Sequence, residues 1–152
     1  MRIRPANFSD LEQLLALERS CPTAAHWSEQ RYKDAIGPTG KDSERIVLVA
    51  DSADPTLIAG FLVARRLSTE WELENIVVAS KSRRSGVGRA MIESLQDLVR
   101  EAPGASLHLE VRASNIPACK LYENKGLKQT GRRAAYYSEP AEDAILYTWT
   151  PS

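Results

Sequence analysis

One stretch, Glu74 to Arg89 (ENIVVASKSRRSGVGR), restricts the possible folds of this chain more than any other. Its β-branched run Ile76, Val77, Val78 has the composition of a buried strand. A basic, glycine-bearing turn follows, and then an amphipathic helix with Val87, Ala90, Met91, Leu95, Leu98 and Val99 on one side, closed by Pro103-Gly104. Ser106 to Arg112 then alternates, with Leu107, Leu109 and Val111 on one face and His108, Glu110 and Arg112 on the other. A strand, a helix and a strand in that order require a crossover, which forces the two strands parallel.

The rest of the chain has to build a sheet around that pair. Met1 to Arg4 reads as a short strand ended by Pro5. Ser9-Asp10-Leu11-Glu12 reads as a capping box for a helix carrying Leu11, Leu14, Leu15 and Leu17, stopped at Cys21-Pro22-Thr23. Ser28 caps a second helix that runs to about Ile36 and ends at Gly37-Pro38. Ile46 to Ala50, Leu57 to Ala64 and Trp71 to Ala79 leave no room for helices between them and predict an antiparallel meander. Asn115 caps a last helix that stops at Gly126, and Leu127 to Thr150 reads as two strands joined around Ser138-Glu139-Pro140. The expected fold is α/β of the α+β kind, one domain over residues 1–152.

At 152 residues one core suffices, since a domain of about this size buries roughly 70% of its unfolded surface. Lys plus Arg is 20 and Asp plus Glu is 20, so no strongly basic footprint argues for a nucleic-acid partner. Positive charge is local, in the Arg83–Arg89 turn and at Arg132-Arg133. Cys21 and Cys119 lack a CxxC spacing and His26 and His108 lie far apart, so no metal site is expected. No apolar run approaches the ~20 residues of a membrane span, and the polar start MRIRPANFSD predicts a soluble protein of a reducing, cytoplasmic compartment.

The turn has the chemistry of an anion site. Gly86 and Gly88 let the backbone approach a ligand, the first helical N–H groups point outward, and Arg83, Arg84 and Arg89 add charge. The mononucleotide loop GxxxxGK[ST] is absent. A dinucleotide fingerprint is a poor match, because Met91 stands at the third glycine position. The third reading is R-x-x-G-x-G, here Arg83-Arg84-Ser85-Gly86-Val87-Gly88, which resembles the pyrophosphate loop of the GNAT superfamily of acyl-CoA N-acyltransferases.

Glu110 ends its strand one crossover from that turn. Tyr122 follows Asn115 by close to two helical turns, which puts both on one helix face. A phenol, with a reference pKa of about 10 against about 8.5 for a thiol, suits a proton donor to a departing thiolate. Cys119 has no paired histidine and reads as a small packing residue rather than a nucleophile.

The run LEVRASNIPACKLYENKGL, Leu109 to Leu127, resembles the corresponding segment of the RimI-type ribosomal-protein alanine N-acetyltransferases within GNAT. HWSEQRY, His26 to Tyr32, resembles that family's substrate-side loop, and RRAAYYSEPAEDAILY, Arg132 to Tyr147, its carboxyl-terminal hairpin. The resemblance implies a mixed, mostly antiparallel sheet of about seven strands with a central parallel pair, flanked by about four helices. It implies Glu110 as general base and Tyr122 as general acid. Ile76, Val77 and Val78 would pair with the pantetheine of acetyl-CoA, with the Val78 N–H toward the thioester carbonyl, and Asn115 and Tyr122 would lie near the thioester. Arg83, Arg84, Ser85, Gly86, Val87, Gly88 and Arg89 would hold the pyrophosphate.

On the acceptor side it implies Trp27, Ser28, Glu110, Tyr136 and Tyr137 around a protein N-terminus, the N-terminal alanine of a small-subunit ribosomal protein. Two departures fall on that side: His26 stands where the family usually has proline, and Ser138 where proline often follows the tyrosine pair. They keep open an acceptor of another kind, a small amine or a lysine side chain. A non-catalytic acyl-CoA-binding module is the alternative outside enzymology. Oligomeric state stays open, a monomer being compatible with every feature above.

Overall fold

The parallel pair is present, and it is short. In the computed structural model, which describes residues 2–36, 44–138 and 140–152, β4 (Glu70–Val78) pairs with β5 (Ser106–Arg112) only through Glu70–Ser106, Trp71–Leu107 and Glu72–His108. Beyond Glu72 the strands part. On its other edge β4 stays paired with β3 (Ile58–Leu67), with Val78 opposite Gly60, and β5 stays paired with β7 (Glu142–Trp149). The register of β3 against β4 slips between Val63 and Ala64, opposite Asn75 and Leu73, so Glu74 is the extra residue of a β-bulge. A bulge bends its strand and increases local twist. Here it turns β4 away from β5.

The remaining strands complete one seven-stranded sheet in the order β1-β2-β3-β4-β5-β7-β6, with β1 (Ile3–Pro5), β2 (Arg45–Asp51) and β6 (Lys128–Tyr137). The expected meander and terminal hairpin are both there. α1 (Leu11–Ser20) and α2 (Glu29–Ala35) cover one face, where Leu14, Tyr32, Ile36 and Phe61 are fully buried. α3 (Val87–Arg100) and α4 (Ile116–Asn124) belong to the cluster on the other face. Val87, Met91, Ile92, Leu95 and Val99 form the buried stripe of α3, and each such side chain contributes about 1.5–3 kcal/mol on leaving water.

The first helix is capped differently from the sequence reading. The capping box is Asn7 with Asp10: the Asn7 side-chain oxygen accepts the Ser9 N–H at 3.0 Å, and the Asp10 carboxylate accepts the Asn7 N–H at 2.9 Å. It opens a 3-10 turn, Phe8–Asp10, that runs into α1. Arg4 decides the choice, because its guanidinium meets both Asp10 oxygens, at 2.8 and 2.9 Å, and fixes that carboxylate one turn before Leu11. The predicted cap at Ser28 is present, accepting the Arg31 N–H at 3.3 Å. The predicted stop at Gly37-Pro38 lies outside the described residues, as do Met1 and Glu139.

Candidate active site

The loop from β4 to α3 curls through a short 3-10 turn, Ser80–Ser82, into two left-handed residues, Arg84 at φ 63° and Gly86 at φ 85°. Nothing lies within 4 Å of where a Gly86 Cβ would project, so glycine is needed there for its dihedral rather than for space. Gly88 is a matter of space: a Cβ would come 3.2 Å from the Leu121 side chain and 3.8 Å from that of Val78. Alternating handedness with helical N–H groups behind it is the backbone pattern of an anion-binding nest. Lys81, Arg83, Arg84 and Arg89 surround it without an acid in the loop. Arg89 pairs with Glu93 at 3.0 Å, while Arg83 and Arg84 meet no carboxylate among the described residues. Val87 contributes only backbone here, since its side chain is buried in the core.

The open edge of β4 leads from this loop into the sheet. The Ala79 N–H donates to the Ala59 carbonyl at 2.8 Å. Because successive residues of a strand point their hydrogen-bonding groups to opposite edges, Val77 also faces β3, and Ile76 and Val78 present their N–H and C=O groups to the gap beside β5. Val77 is therefore turned away from any ligand in the gap, contrary to its expected part in pantetheine pairing, and its side chain packs with α1 and α2.

The two candidate chemical groups lie on opposite faces of the sheet. Glu110 alternates with Leu109 and Val111, which pack toward α3, so its carboxylate emerges on the α1–α2 face. There Arg133 approaches it to 3.3 Å. Tyr122 belongs to the α3–α4 cluster, with its ring 5.9 Å from that of Tyr147. Its hydroxyl bonds to no protein group among the described residues. Burial first, then Cys119 and Tyr137, push its pKa well above the ordinary phenol range. Tyr137 is the shared neighbour, because Glu110 acts on its phenol as well. The gap between β4 and β5 joins the two faces.

Around Glu110 the wall is built from residues of both signs. Tyr136 is half exposed, 5.1 Å ring to ring from Tyr137, and its phenol is raised mainly by a hydrogen bond to Glu110. Arg112 lies 4.4 Å over the Tyr137 ring and pairs with Glu142 at 3.2 Å. Glu72, which the sequence reading passed over, is held above the usual carboxylate range by burial, then by Glu74 and Glu110. The period-two acids Glu70, Glu72 and Glu74 were the available signal. In the sequence Arg133 is local charge alone, and its pairing with Glu110 depends on the β6–β7 hairpin that returns it toward β5.

The other expected acceptor and thioester residues have structural tasks. Trp27 is buried: its ring is 5.4 Å from Tyr32, with the Arg31 guanidinium at 4.0 Å and that of Arg45 at 5.1 Å. It shapes the wall from beneath rather than lining it. Ser28 caps α2. Asn115 caps α4, its side-chain oxygen accepting the Ala118 N–H at 3.3 Å.

A splayed sheet with an open-edged strand, a cationic helix-capping loop at its end, and an acid and a phenol across the gap define the acyltransferase class of α+β domains. Comparison with known proteins agrees at the level of the family. The chain belongs to the acetyltransferase (GNAT) family, whose model matches residues 11–127. A relative from Salmonella typhimurium, a [ribosomal protein bS18]-alanine N-acetyltransferase, is 34% identical over 122 residues, 79% of this chain and 78% of the relative. The Escherichia coli protein of the same name is 40% identical over 91 residues, a match that spans 59% of this chain and 62% of that relative. The crystal structure of the Escherichia coli ribosomal-protein-S18-alanine N-acetyltransferase superposes with a TM-score of 0.80 at 30% identity, covering 97% of this chain and 91% of that one.

Proposed function

We propose that this chain is an acetyl-CoA-dependent N-acetyltransferase that acetylates a protein N-terminal amine in the cytoplasm, with the N-terminal alanine of a small-subunit ribosomal protein as acceptor. The observation that carries the reading is the placement of Glu110 and of the unclaimed Tyr122 hydroxyl on the two faces of one gap. Such a gap accepts a thioester from one side and an amine from the other. The activity of the bacterial relatives supports the acceptor.

The nucleophile must be neutral. An α-amine of reference pKa about 7.8 is roughly one-seventh neutral at pH 7, against about one in 2,500 for a lysine at about 10.4. One carboxylate therefore suffices to take its remaining proton, and that is the task of Glu110, directly or through a water. Ile76 and Val78 hold the pantetheine as an added strand, and the Val78 N–H donates to the thioester oxygen as charge develops there. The free cations Arg83 and Arg84, with the loop N–H groups, hold the diphosphate. On the far face the Tyr122 hydroxyl meets the sulfur. Its raised pKa keeps it protonated, so it stabilises the departing thiolate by a hydrogen bond before any proton moves. Attack is direct, and Cys119, buried beside Tyr122, takes no part.

Mass spectrometry of small-subunit ribosomal proteins from cells with and without the chain tests the reading; one added acetyl group at an amino terminus is expected, and its absence overturns the acceptor. A second reading, transfer to a small amine or a lysine side chain, has one observation in its favour. His26 has φ 57°, which proline, fixed near −65°, cannot adopt, so the acceptor loop differs from the pattern it resembles. Acetylation of such amines with no transfer to an alanine-first peptide would favour it.

A further inference from the structure

Behind the acceptor loop lies a buried carboxylate that the chemistry of the gap does not use. Glu18, on α1, is 3% exposed and has no cationic partner among the described residues. It accepts the backbone N–H of Trp27 and, at 2.9 Å, the hydroxyl of Tyr32. The Tyr32 oxygen in turn accepts from the Asn75 amide at 2.9 Å, and the Asn75 oxygen accepts the Ala25 N–H at 3.2 Å. Three buried side chains from α1, α2 and β4 thus converge on two backbone N–H groups, those on either side of His26.

Burying a carboxyl group away from any cation is costly, and apolar side chains would hold α1 against the sheet at lower cost. What the network adds is a fixed backbone. His26 sits between the two anchors in the left-handed region, at φ 57°, a conformation that strains a non-glycine residue. Such strain persists where the surroundings over-determine it, and it collects at ligand clamps. Asn75 also lies between the bulge residue Glu74 and Ile76, the first residue whose backbone faces the gap. The loop height is therefore set from the strand that would carry the thioester.

We propose that Glu18, Tyr32 and Asn75 are positioning residues that clamp the Ala25–Trp27 turn to β4, so that the acceptor meets a preformed wall; this rests on the reading of the His26–Tyr32 segment as the acceptor side. Steady-state kinetics of Glu18→Gln and Tyr32→Phe, with acetyl-CoA and an alanine-first peptide, test it. The peptide KM should rise about tenfold in Glu18→Gln, equivalent to about 1.4 kcal/mol, and less in Tyr32→Phe. The KM for acetyl-CoA and kcat at saturating peptide should hold within about twofold. Adding His26→Gly to Glu18→Gln should restore part of the peptide KM, because glycine adopts the left-handed turn unaided. An unchanged peptide KM in both single variants overturns the proposal. So does a parallel loss in peptide KM, acetyl-CoA KM and kcat, the pattern of general core damage. Glu110→Gln run alongside separates the two readings, since full kcat in that variant refutes the base assignment while the clamp is still judged on peptide KM.

Discussion

Replacing Tyr122 by Phe should separate catalysis from stability. The hydroxyl removed has no protein partner among the described residues, so its loss orphans no buried donor or acceptor. The ring remains in contact with Tyr147 and Cys119. Stability should therefore stay within about 0.5 kcal/mol of the parent protein. Catalysis should not. A hydrogen bond to a charged group contributes about 1.5–3 kcal/mol, and at about 1.4 kcal/mol per tenfold that is a loss of about 10- to 150-fold in kcat. Initial rates of free-thiol release, followed with a chromogenic disulfide over a range of acetyl-CoA and acceptor concentrations, give kcat; thermal melts of the same samples give stability. Turnover within twofold of the parent would falsify the assignment of the phenol to the leaving sulfur. A kcat loss matched by a melting temperature several degrees lower would refute the structural premise. The pH profile adds a check. The Tyr122 pKa is raised, so the phenol keeps its proton through the alkaline range, and activity should rise as the amine deprotonates, with no fall from this group up to about pH 10, its unperturbed value.

Four further outcomes follow from the geometry. Glu110→Gln should lower kcat by about 10²- to 10⁴-fold while acetyl-CoA affinity, measured by calorimetry, stays unchanged; unchanged turnover would remove the base. Arg83→Gln with Arg84→Gln should raise the KM for acetyl-CoA at least about tenfold and flatten its salt dependence, because these two cations are not engaged with carboxylates; equal salt dependence before and after would refute their role. Gly60→Ala places a Cβ 2.6 Å from the Val77 carbonyl and 3.2 Å from Met91, so denaturant titration should show a loss of about 1–3 kcal/mol, with the gap-facing edge of β4 displaced; parent-like stability and acetyl-CoA KM would disprove it. Asp10→Asn should cost about 1–3 kcal/mol, because Arg4 loses a charge-assisted pair and keeps the one with Asp51. Arg4 lowers the Asp10 pKa, so the stability this carboxylate contributes is present above its unfolded value of about 3.9 and is lost as pH falls through the folded one; a pH–stability curve of the variant parallel to that of the parent below pH 4 would contradict this.

Much of the fold was legible because it follows from local rules. The crossover from Val78 to Leu107 dictates a parallel pair whatever the tertiary context, and the glycines of the turn mark where the backbone lies open, although the left-handed dihedral of Gly86 shows only in the structure. What escaped the sequence was set by contacts distant along the chain. Ser9-x-x-Glu12 and Asn7-x-x-Asp10 are both acceptable caps, and Arg4, held also by Asp51 across the sheet, decides between them. The resemblance implies Trp27 in the acceptor wall, and only the fold shows Arg31, Tyr32 and Arg45 enclosing it. Glu18 looks like any polar residue of an amphipathic helix, yet it is buried because a loop nine residues later returns to it. The bulge at Glu74 had no signature, since the acid fits the alternation on both sides of it.

A sheet interrupted in its middle, rather than at its rim, ties the cofactor to the protein's cohesion. The halves carrying β1–β4 and β5–β7 share three backbone pairings and the helices packed across them. A pantetheine chain seated along Ile76 and Val78 would act as a guest strand and stitch the halves together. Saturating coenzyme A at 100 times its dissociation constant should thus raise unfolding free energy by about 2.7 kcal/mol, and amide protons of Ile76 and Val78 should exchange more slowly when it is bound. Ligand occupancy and mechanical integrity become one variable, and starvation for the cofactor would leave the molecule easier to open along a single seam.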